Sequence, residues 1–179
     1  MREDIRTARS RVVYENAWMT VHEDEIIRAD GSRGLYSYVE KPDFALIVPL
    51  ERDGVWLIEQ YRYPVRRRSW EFPQGTFPQG VAGSAEDLAR AELVEETGFR
   101  AGDLTWIGRL DCAHGMSSQG FNIWLARDLI PGEHRREPEE QDMCQQWFRM
   151  AEFERMIRAG TITDNVSVAA YTLLKLGGF

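Results

Sequence analysis

The chain has 179 residues, of which 43% are hydrophobic and 28% charged, and its formal net charge is −7 at pH 7. Such a length and composition are typical of one globular domain with a sizeable core, and they exclude a largely disordered or fibrous chain. The acidic balance excludes nucleic-acid binding through a basic surface, because such proteins gain affinity from lysine and arginine contacts to phosphate.

The cellular location can be predicted from the same composition. No apolar run approaches the roughly 20 residues that span a bilayer, and the start, MREDIRTARS, lacks the apolar region of a signal peptide. Cys112 and Cys144 have neither a disulfide framework nor metal-ligand spacing, which favours free thiols in a reducing compartment. We therefore expect a cytoplasmic protein with no membrane partner.

The first sixty residues predict strands. RVVYEN, MTVHEDEIIRA, LYSYVEK, FALIVPLE and GVWLIEQYR carry β-branched and aromatic residues between turn signals. The nearly continuous apolar run FALIVPL predicts a strand that is buried on both faces, and hence a sheet covered by helices. We expect an N-terminal β-rich segment over residues 1–40 and the main domain over residues 41–179.

The rest of the chain mixes helices and strands. A loop rich in Pro and Gly, EFPQGTFPQGVAGS, ends at Ser84, which predicts an N-cap for a helix that runs to Thr97 and stops at Gly98. LTWIGRLDCA, GFNIWLARDL and QQWFRM predict strands, and AEFERMIRAG and NVSVAAYTLLKLGG predict helices. This order predicts an α+β fold or an α/β/α sandwich.

A basic segment, YRYPVRRRSW, interrupts the acidic chain and gathers Arg62, Arg66, Arg67 and Arg68 between aromatic residues. It suits a small phosphorylated ligand better than a long polyanion. A solvated turn explains the same residues equally well, and the composition leaves both interpretations open.

Three glutamates crowd the end of the predicted helix, in RAELVEETGF. On a helical wheel with Ala85 at zero, the apolar Leu88 and Leu93 fall near about 300° and about 80°. Glu92, Glu95 and Glu96 fall near about 340°, about 280° and about 20°, on the same side.

Carboxylates on an inward-facing side repel one another and lose hydration, so that protonation, a cationic partner or a bound metal must offset the cost. Hard oxygen ligands of this kind suit Mg²⁺ or Mn²⁺.

GTFPQGVAGSAEDLARAELVEETGF resembles a Nudix box, with Gly75 as its opening glycine and Glu92, Glu95, Glu96 and Gly98 in its core. EQYRYPV, WEFPQG and EPEEQDM resemble the ADP-ribose pyrophosphatase branch of that family in order and spacing. The resemblance implies a Nudix-like mixed β-sheet between helices, preceded by the β-rich segment.

Three departures from the family pattern lie in the box. The distance from Gly75 to Gly98 is two residues too long, which predicts an insertion within TFPQGVAGS. Ala91 replaces the box arginine that orients a glutamate in the family, and Gly83 replaces the early glutamate. In addition, His114 stands near the place where the ADP-ribose branch usually has a proline.

The resemblance implies a role for each matching residue. Glu92 and Glu96 are expected to bind divalent cations, Glu95 to be a further ligand or catalytic group, and the backbone carbonyl of Gln74 to complete the site. A glutamate of a late loop, Glu139 or Glu140, is expected to act as base or ligand, with Glu140 favoured.

Substrate contacts are also implied by the resemblance. They are expected at Arg62 through the diphosphate, at Trp18 through the base, and at Ser117 and Ser118 through hydrogen bonds. For Trp18, a place in the core is the alternative.

The implied function is Mg²⁺-dependent hydrolysis of a nucleoside diphosphate linked to another group, with Mn²⁺ as the other candidate metal. The expected substrate is an ADP-sugar such as ADP-ribose, which gives AMP and a sugar phosphate. One alternative is another nucleotide sugar or a dinucleotide, and a second is a nucleotide-sensing module of weak activity, for which Ala91 is the motive. By analogy with the family we expect a homodimer formed through Val12–Glu40.

Overall fold

A computed structural model gives the structure of the chain and describes residues 4–77, 83–136 and 140–179. These ranges contain the strands β1 (Ile5–Glu15), β2 (Thr20–Arg28), β3 (Arg33–Glu40), β4 (Phe44–Glu51), β5 (Gly54–Arg62), β6 (Arg67–Glu71), β7 (Gln74–Gly75), β8 (Arg100–Asp111), β9 (Gly120–Ile130) and β10 (Cys144–Arg149). They also contain the helices α1 (Ala85–Thr97), α2 (Met150–Arg158) and α3 (Asn165–Gly177), and a 3-10 turn at Tyr63–Val65.

The chain divides into two compact units. The first consists of Met1–Asp43 with Asp111–Gly120, and the second of Phe44–Leu110 with Phe121–Phe179. Within the first unit, β1, β2 and β3 form an antiparallel sheet in that order. The predicted β-rich amino-terminal region is therefore confirmed.

Strand β1 is longer than the sequence predicts, because it begins at Ile5 and not near Arg11. The segment IRTARS has few β-branched residues, so propensity alone does not identify it. Pairing with β2, in the register that starts with Ile5 opposite Arg28, imposes the extended conformation.

The second unit is built on a mixed sheet in the order β10-β5-β4-β9-β8, with β6 paired to β5 and β7 paired to β4. Strand β4 runs antiparallel to β5 and parallel to β9. The apolar run Phe44–Pro49 is buried along its whole length, as predicted for a strand that is covered on both faces.

Helices cover this sheet. Ala45 and Ile47 of β4 belong to the same core cluster as Leu88 and Leu93 of α1. Successive side chains of a strand point to opposite faces, so the alternate residues of β4 face away from this cluster. Helix α3 also contacts β4. The predicted α+β architecture is confirmed. None of the helices in the described ranges is long and apolar enough to cross a membrane.

Strand β6 is a feature that the sequence does not predict. The sequence predicts that residues 67–70 lie in a turn or at an anion site and that Glu71 begins the loop that follows. In the structure all five residues, RRSWE, form a strand. The strand forms because it pairs with β5, with Arg62 opposite Arg67 and Ile58 opposite Glu71. This pairing buries the side chain of Glu71.

Candidate active site

Helix α1 has the predicted ends. The hydroxyl of Ser84 accepts a hydrogen bond from the backbone amide of Asp87, and the carboxylate of Asp87 accepts one from the amide of Ser84, each at 3.1 Å. This capping box satisfies two amides at the start of the helix. At the other end Gly98 adopts φ +76°, a left-handed conformation that favours glycine.

The acidic side of α1 faces inward, as the helical wheel predicts. Glu92 is 9% exposed and Glu96 is 1% exposed, while Glu95 is partly buried. Arg90, on the other side, is exposed and pairs with Glu86. The three glutamates therefore do not form a solvated face.

The short strand β7 runs against these glutamates. The backbone amide of Gln74 donates to Oε2 of Glu96 at 2.9 Å. A Cβ atom at Gly75 would stand 2.4 Å from Oε2 of Glu92. Only a glycine at position 75 lets the strand approach the Glu92 carboxylate so closely, which explains the residue type at this place.

The electrostatics around Glu96 are unfavourable for an isolated carboxylate. Burial raises the pKa of Glu96 well above its usual range, and the charges of Glu92 and Glu140 raise it further. The hydrogen bond from Gln74 acts in the opposite direction. A cation placed against these oxygens would relieve both the lost hydration and the repulsion.

Of the two predicted loop glutamates, Glu140 is among the described residues. Glu140 is partly buried and lies near enough to influence the pKa of Glu96. Glu139 lies outside the described residues, as do residues 78–82, where most of the predicted insertion falls.

Arg62 is bound to a carboxylate of its own fold. Its guanidinium donates through Nε to Oε2 of Glu71 at 3.1 Å and through Nη2 to Oε1, and Gln60 donates to the same oxygen Oε1 at 2.8 Å. Burial alone would lower the pKa of Arg62, but the Glu71 hydrogen bonds and the charges of Glu71 and Glu96 reverse the direction and raise it.

The other arginines of the basic segment serve the local structure. Arg66 has φ +55° after the 3-10 turn, and its guanidinium stacks on the ring of Tyr63 at 4.0 Å. Arg68 bridges the carboxylates of Glu59 and Asp142, each at 2.6 Å. Much of the positive charge in this segment is thus paired within the protein.

Three predicted substrate contacts lie in the first unit. Trp18, in the turn after β1, is 75% exposed, so it is not a core residue. The hydroxyl of Ser117 accepts from the amide of Gln119 at 3.1 Å, and the amide of Ser118 donates to the carbonyl of Val39 at 3.0 Å.

Two residues at the start of α3 support the site, and the sequence analysis does not predict this role for them. Ser167, which is fully buried, accepts from the amide of Phe72 at 2.9 Å. Asp164 accepts from the hydroxyl of Ser167 at 2.6 Å and from the side-chain amide of Gln74 at 3.3 Å. Asp164 does match an N-cap pattern, which is the signal that could have drawn attention to it.

The residues around Glu96 fit a divalent cation. In the described part of the chain, no three His, Cys, Asp or Glu side chains are arranged as a preformed metal site. Mg²⁺ rarely needs three, since it is commonly held by one or two carboxylates together with waters and substrate phosphates. Glu92 and Glu96, with the backbone at Gln74, provide that kind of donor set.

The matches to known families agree with this geometry. A model described as the NUDIX domain matches residues 41–168. The chain belongs to the Nudix family. A second model, described as the nucleoside diphosphate sugar hydrolase N-terminal domain, matches residues 5–39.

Two curated relatives have names of enzymes that act on ADP compounds. An ADP-ribose pyrophosphatase of Mycobacterium tuberculosis is 30% identical over 93% of this chain and 81% of its own length. The ADP compounds hydrolase NudE of Escherichia coli is 32% identical over 69% of this chain and 63% of its own length. A crystal structure of an ADP compounds hydrolase matches with a TM-score of 0.85 at 26% identity, covering 97% of this chain and 93% of that one. This Nudix chain is a pyrophosphohydrolase.

Proposed function

We propose that this Nudix protein hydrolyses the diphosphate bond of an ADP-sugar such as ADP-ribose, giving AMP and a sugar phosphate, with Mg²⁺ as its metal and Mn²⁺ as a substitute. The observation that carries the proposal is the inward-facing pair Glu92 and Glu96, set against the backbone of Gln74 and Gly75. The names of the two relatives support the choice of an ADP compound.

Each residue of the acidic side has a proposed task. Glu92 and Glu96 hold the divalent ion, with the carbonyl of Gln74 as a further ligand and Glu95 beside them as a ligand or catalytic group. The amide of Gln74 fixes the orientation of the Glu96 carboxylate by its hydrogen bond at 2.9 Å. When bound, the divalent ion neutralises charge on the diphosphate and lowers the pKa of a water molecule.

Proton transfer and substrate orientation are assigned to other residues. Glu140 accepts the proton of the attacking water, because it is a carboxylate close enough to Glu96 to act on its pKa. Glu71 holds Arg62 by its Nε and Nη2 atoms, which presents the Nη1 side of the guanidinium to a diphosphate oxygen.

The proposed contacts to the rest of the substrate come from the first unit. The exposed ring of Trp18 offers a flat surface for the base, and Ser117 and Ser118 offer polar groups for the sugar. Neither Cys112 nor Cys144 forms a disulfide, which suits action in the reducing cytoplasm.

The first unit also supports a homodimer formed through Val12–Glu40. All eleven residues of β1 are exposed, and Val12, Tyr14 and Leu35 are among the large apolar residues that face solvent on this sheet. An exposed strand with apolar side chains is a favourable surface for association with a second copy. Sedimentation should give a dimer, and a monomer at micromolar concentration would remove this part of the proposal.

A panel of substrates tests the main proposal. ADP-ribose, other nucleotide sugars, NADH and a dinucleoside polyphosphate would each be incubated with the protein and Mg²⁺ or Mn²⁺, with a chelator as control. We expect AMP and ribose 5-phosphate from ADP-ribose and no product with the chelator. Preference for another compound would change the substrate, whereas tight ADP-ribose binding without metal-dependent turnover would indicate a nucleotide sensor.

A further inference from the structure

The segment that leads to Glu140 is attached to the end of α1 through its backbone. The amide of Arg135 donates to the carbonyl of Glu95 at 2.9 Å. A Cβ atom at Gly98 would stand 2.5 Å from the carbonyl oxygen of Gly132 and 2.9 Å from the amide nitrogen of His134. The two backbones are therefore in direct contact, and there is no space for a side chain between them.

Arg136 connects three parts of this region. Its Nε donates to the backbone carbonyl of Glu96 at 3.0 Å, and its Nη1 donates to the backbone carbonyl of Met143. Its own carbonyl accepts from the side-chain amide of Gln141 at 2.8 Å. One guanidinium thus joins the last turn of α1 to the residues that follow Glu140.

The residues after Glu140 form a closed turn. The amide of Met143 donates to the carbonyl of Glu140 at 2.9 Å, and Met143 is 3% exposed. Because Arg136 holds the carbonyl of Met143, any displacement of that turn would break a charge-assisted hydrogen bond. Arg68 also holds this turn through Asp142, but from the side of β5 and β6, whereas Arg136 joins the turn to the last turn of α1.

Glu140 lies within electrostatic range of Glu96, and the two carboxylates carry like charges. Two like charges favour separation of the loop from the helix unless another contact opposes it. Arg90, which precedes Ala91 in the box, does not supply that contact, because its guanidinium binds Glu86 and the carbonyl of Ala101.

We propose that Arg136 is a positioning residue, which holds Glu140 next to the glutamates of α1 by joining the carbonyls of Glu96 and Met143. The proposal rests on the proposed function, in which Glu140 accepts the proton of water. Arg136 itself touches neither substrate nor metal in this account.

A double-mutant cycle with Glu140 tests the proposal on turnover of ADP-ribose in Mg²⁺. We expect Arg136→Ala to lower kcat by about 10- to 100-fold, with KM changed by less than about threefold, because the base is displaced while binding is kept. In the Glu140→Gln background, Arg136→Ala should cause less than about a twofold further loss. A loss that is the same in both backgrounds would show a general structural role and overturn the proposal.

Arg135→Ala is the matched control. Arg135 lies on the same segment, but its hydrogen bond to Glu95 of α1 uses the backbone amide, which the substitution keeps. We expect its kcat to stay within about twofold of wild type. Arg136→Lys keeps the charge and part of the hydrogen bonding, so it should recover part of the activity. It also replaces Arg136→Ala in the cycle if the alanine variant does not fold.

Hydrogen exchange supplies a readout that does not depend on activity. In Arg136→Ala the amide of Met143 should exchange at least about tenfold faster, while the amide of Leu93 in α1 keeps its wild-type rate. Unchanged exchange at Met143 would overturn the proposal. If wild type hydrolyses none of the substrates, the proposed function fails, and the exchange result alone then decides whether Arg136 makes this connection.

Discussion

Two glutamates of the second unit, Glu71 and Glu96, are equally buried, at 1% exposure each, and they have opposite surroundings. Glu71 ends strand β6 and receives hydrogen bonds from Arg62 and Gln60. Burial still raises the pKa of Glu71, but the hydrogen bonds and charge of Arg62 oppose that change. Its negative charge is thus largely balanced by the fold.

Glu96 has the reverse arrangement. Burial raises the pKa of its carboxyl, and the neighbouring charges of Glu92 and Glu140 add to the change, while the Gln74 amide opposes it. Burial alone therefore does not identify a functional carboxylate. What distinguishes Glu96 is that like charges surround it, which is the condition that a bound cation would relieve.

Glu96→Gln should have the largest effect on activity. The amide keeps the shape and can accept the bond from Gln74, but it has no charge to hold a divalent ion. We expect turnover of ADP-ribose to fall by about 10²- to 10³-fold at saturating Mg²⁺, measured by release of AMP. Turnover within about twofold of wild type would contradict the claim that Glu96, unlike Glu71, is a functional carboxylate.

Gly75→Ala tests the same carboxylate pair without changing any charge. The added Cβ would meet Oε2 of Glu92 at 2.4 Å, so the end of that side chain must move. Because the clash is with a flexible side chain and not with backbone, the fold should survive. We expect a loss of activity of about 10- to 100-fold, with the helical circular dichroism unchanged. Wild-type activity would show that the position of Glu92 is unimportant.

Glu71→Gln should act on stability. It removes the charge that balances Arg62, whose side chain is 40% exposed, so that water compensates part of the loss. We expect the free energy of unfolding to fall by about 1–3 kcal/mol, measured by urea titration with a chelator present. An unchanged midpoint would mean that the Arg62–Glu71 pair contributes nothing to the fold.

The smallest predicted effect is on the pH dependence of stability. A carboxyl whose folded pKa is raised stabilises the fold fully below its unfolded pKa, and this contribution is lost as pH rises through the folded pKa. The ordinary value for Glu96 is 4.5, so the loss should develop above that pH in the absence of divalent ions. Glu96→Gln should reduce this slope in the melting temperature, and the raised pKa of Glu71 should leave part of it. A variant with the wild-type slope would contradict the raised pKa.

The helix and its acidic side follow from local rules, and for that reason the sequence predicts them well. Ser84 and Gly98 mark the ends of α1 by capping chemistry, and the helical period alone places Glu92 and Glu96 on the apolar side. The apolar run at Phe44–Pro49 likewise predicts a doubly covered strand.

The supporting contacts depend on pairing between distant segments, which no local pattern encodes. Glu71 follows a run of arginines and resembles a loop residue, and only the pairing of β6 with β5 buries it beside Arg62. Arg136 lies in a strongly polar segment. Its proposed role depends on its hydrogen bonds to the backbone carbonyls of Glu96 and Met143. Asp164 reaches Gln74 across 90 residues of sequence.

Calorimetric titration with Mn²⁺, in the presence of a non-hydrolysable methylene analogue of ADP-ribose, tests the central claim most directly. Wild type and Glu86→Gln, which changes an exposed glutamate of the same helix, should bind the ion with similar affinity, while Glu96→Gln should bind it at least about tenfold more weakly. Equal affinity in wild type and Glu96→Gln would contradict the claim that the buried glutamates of α1 hold the metal.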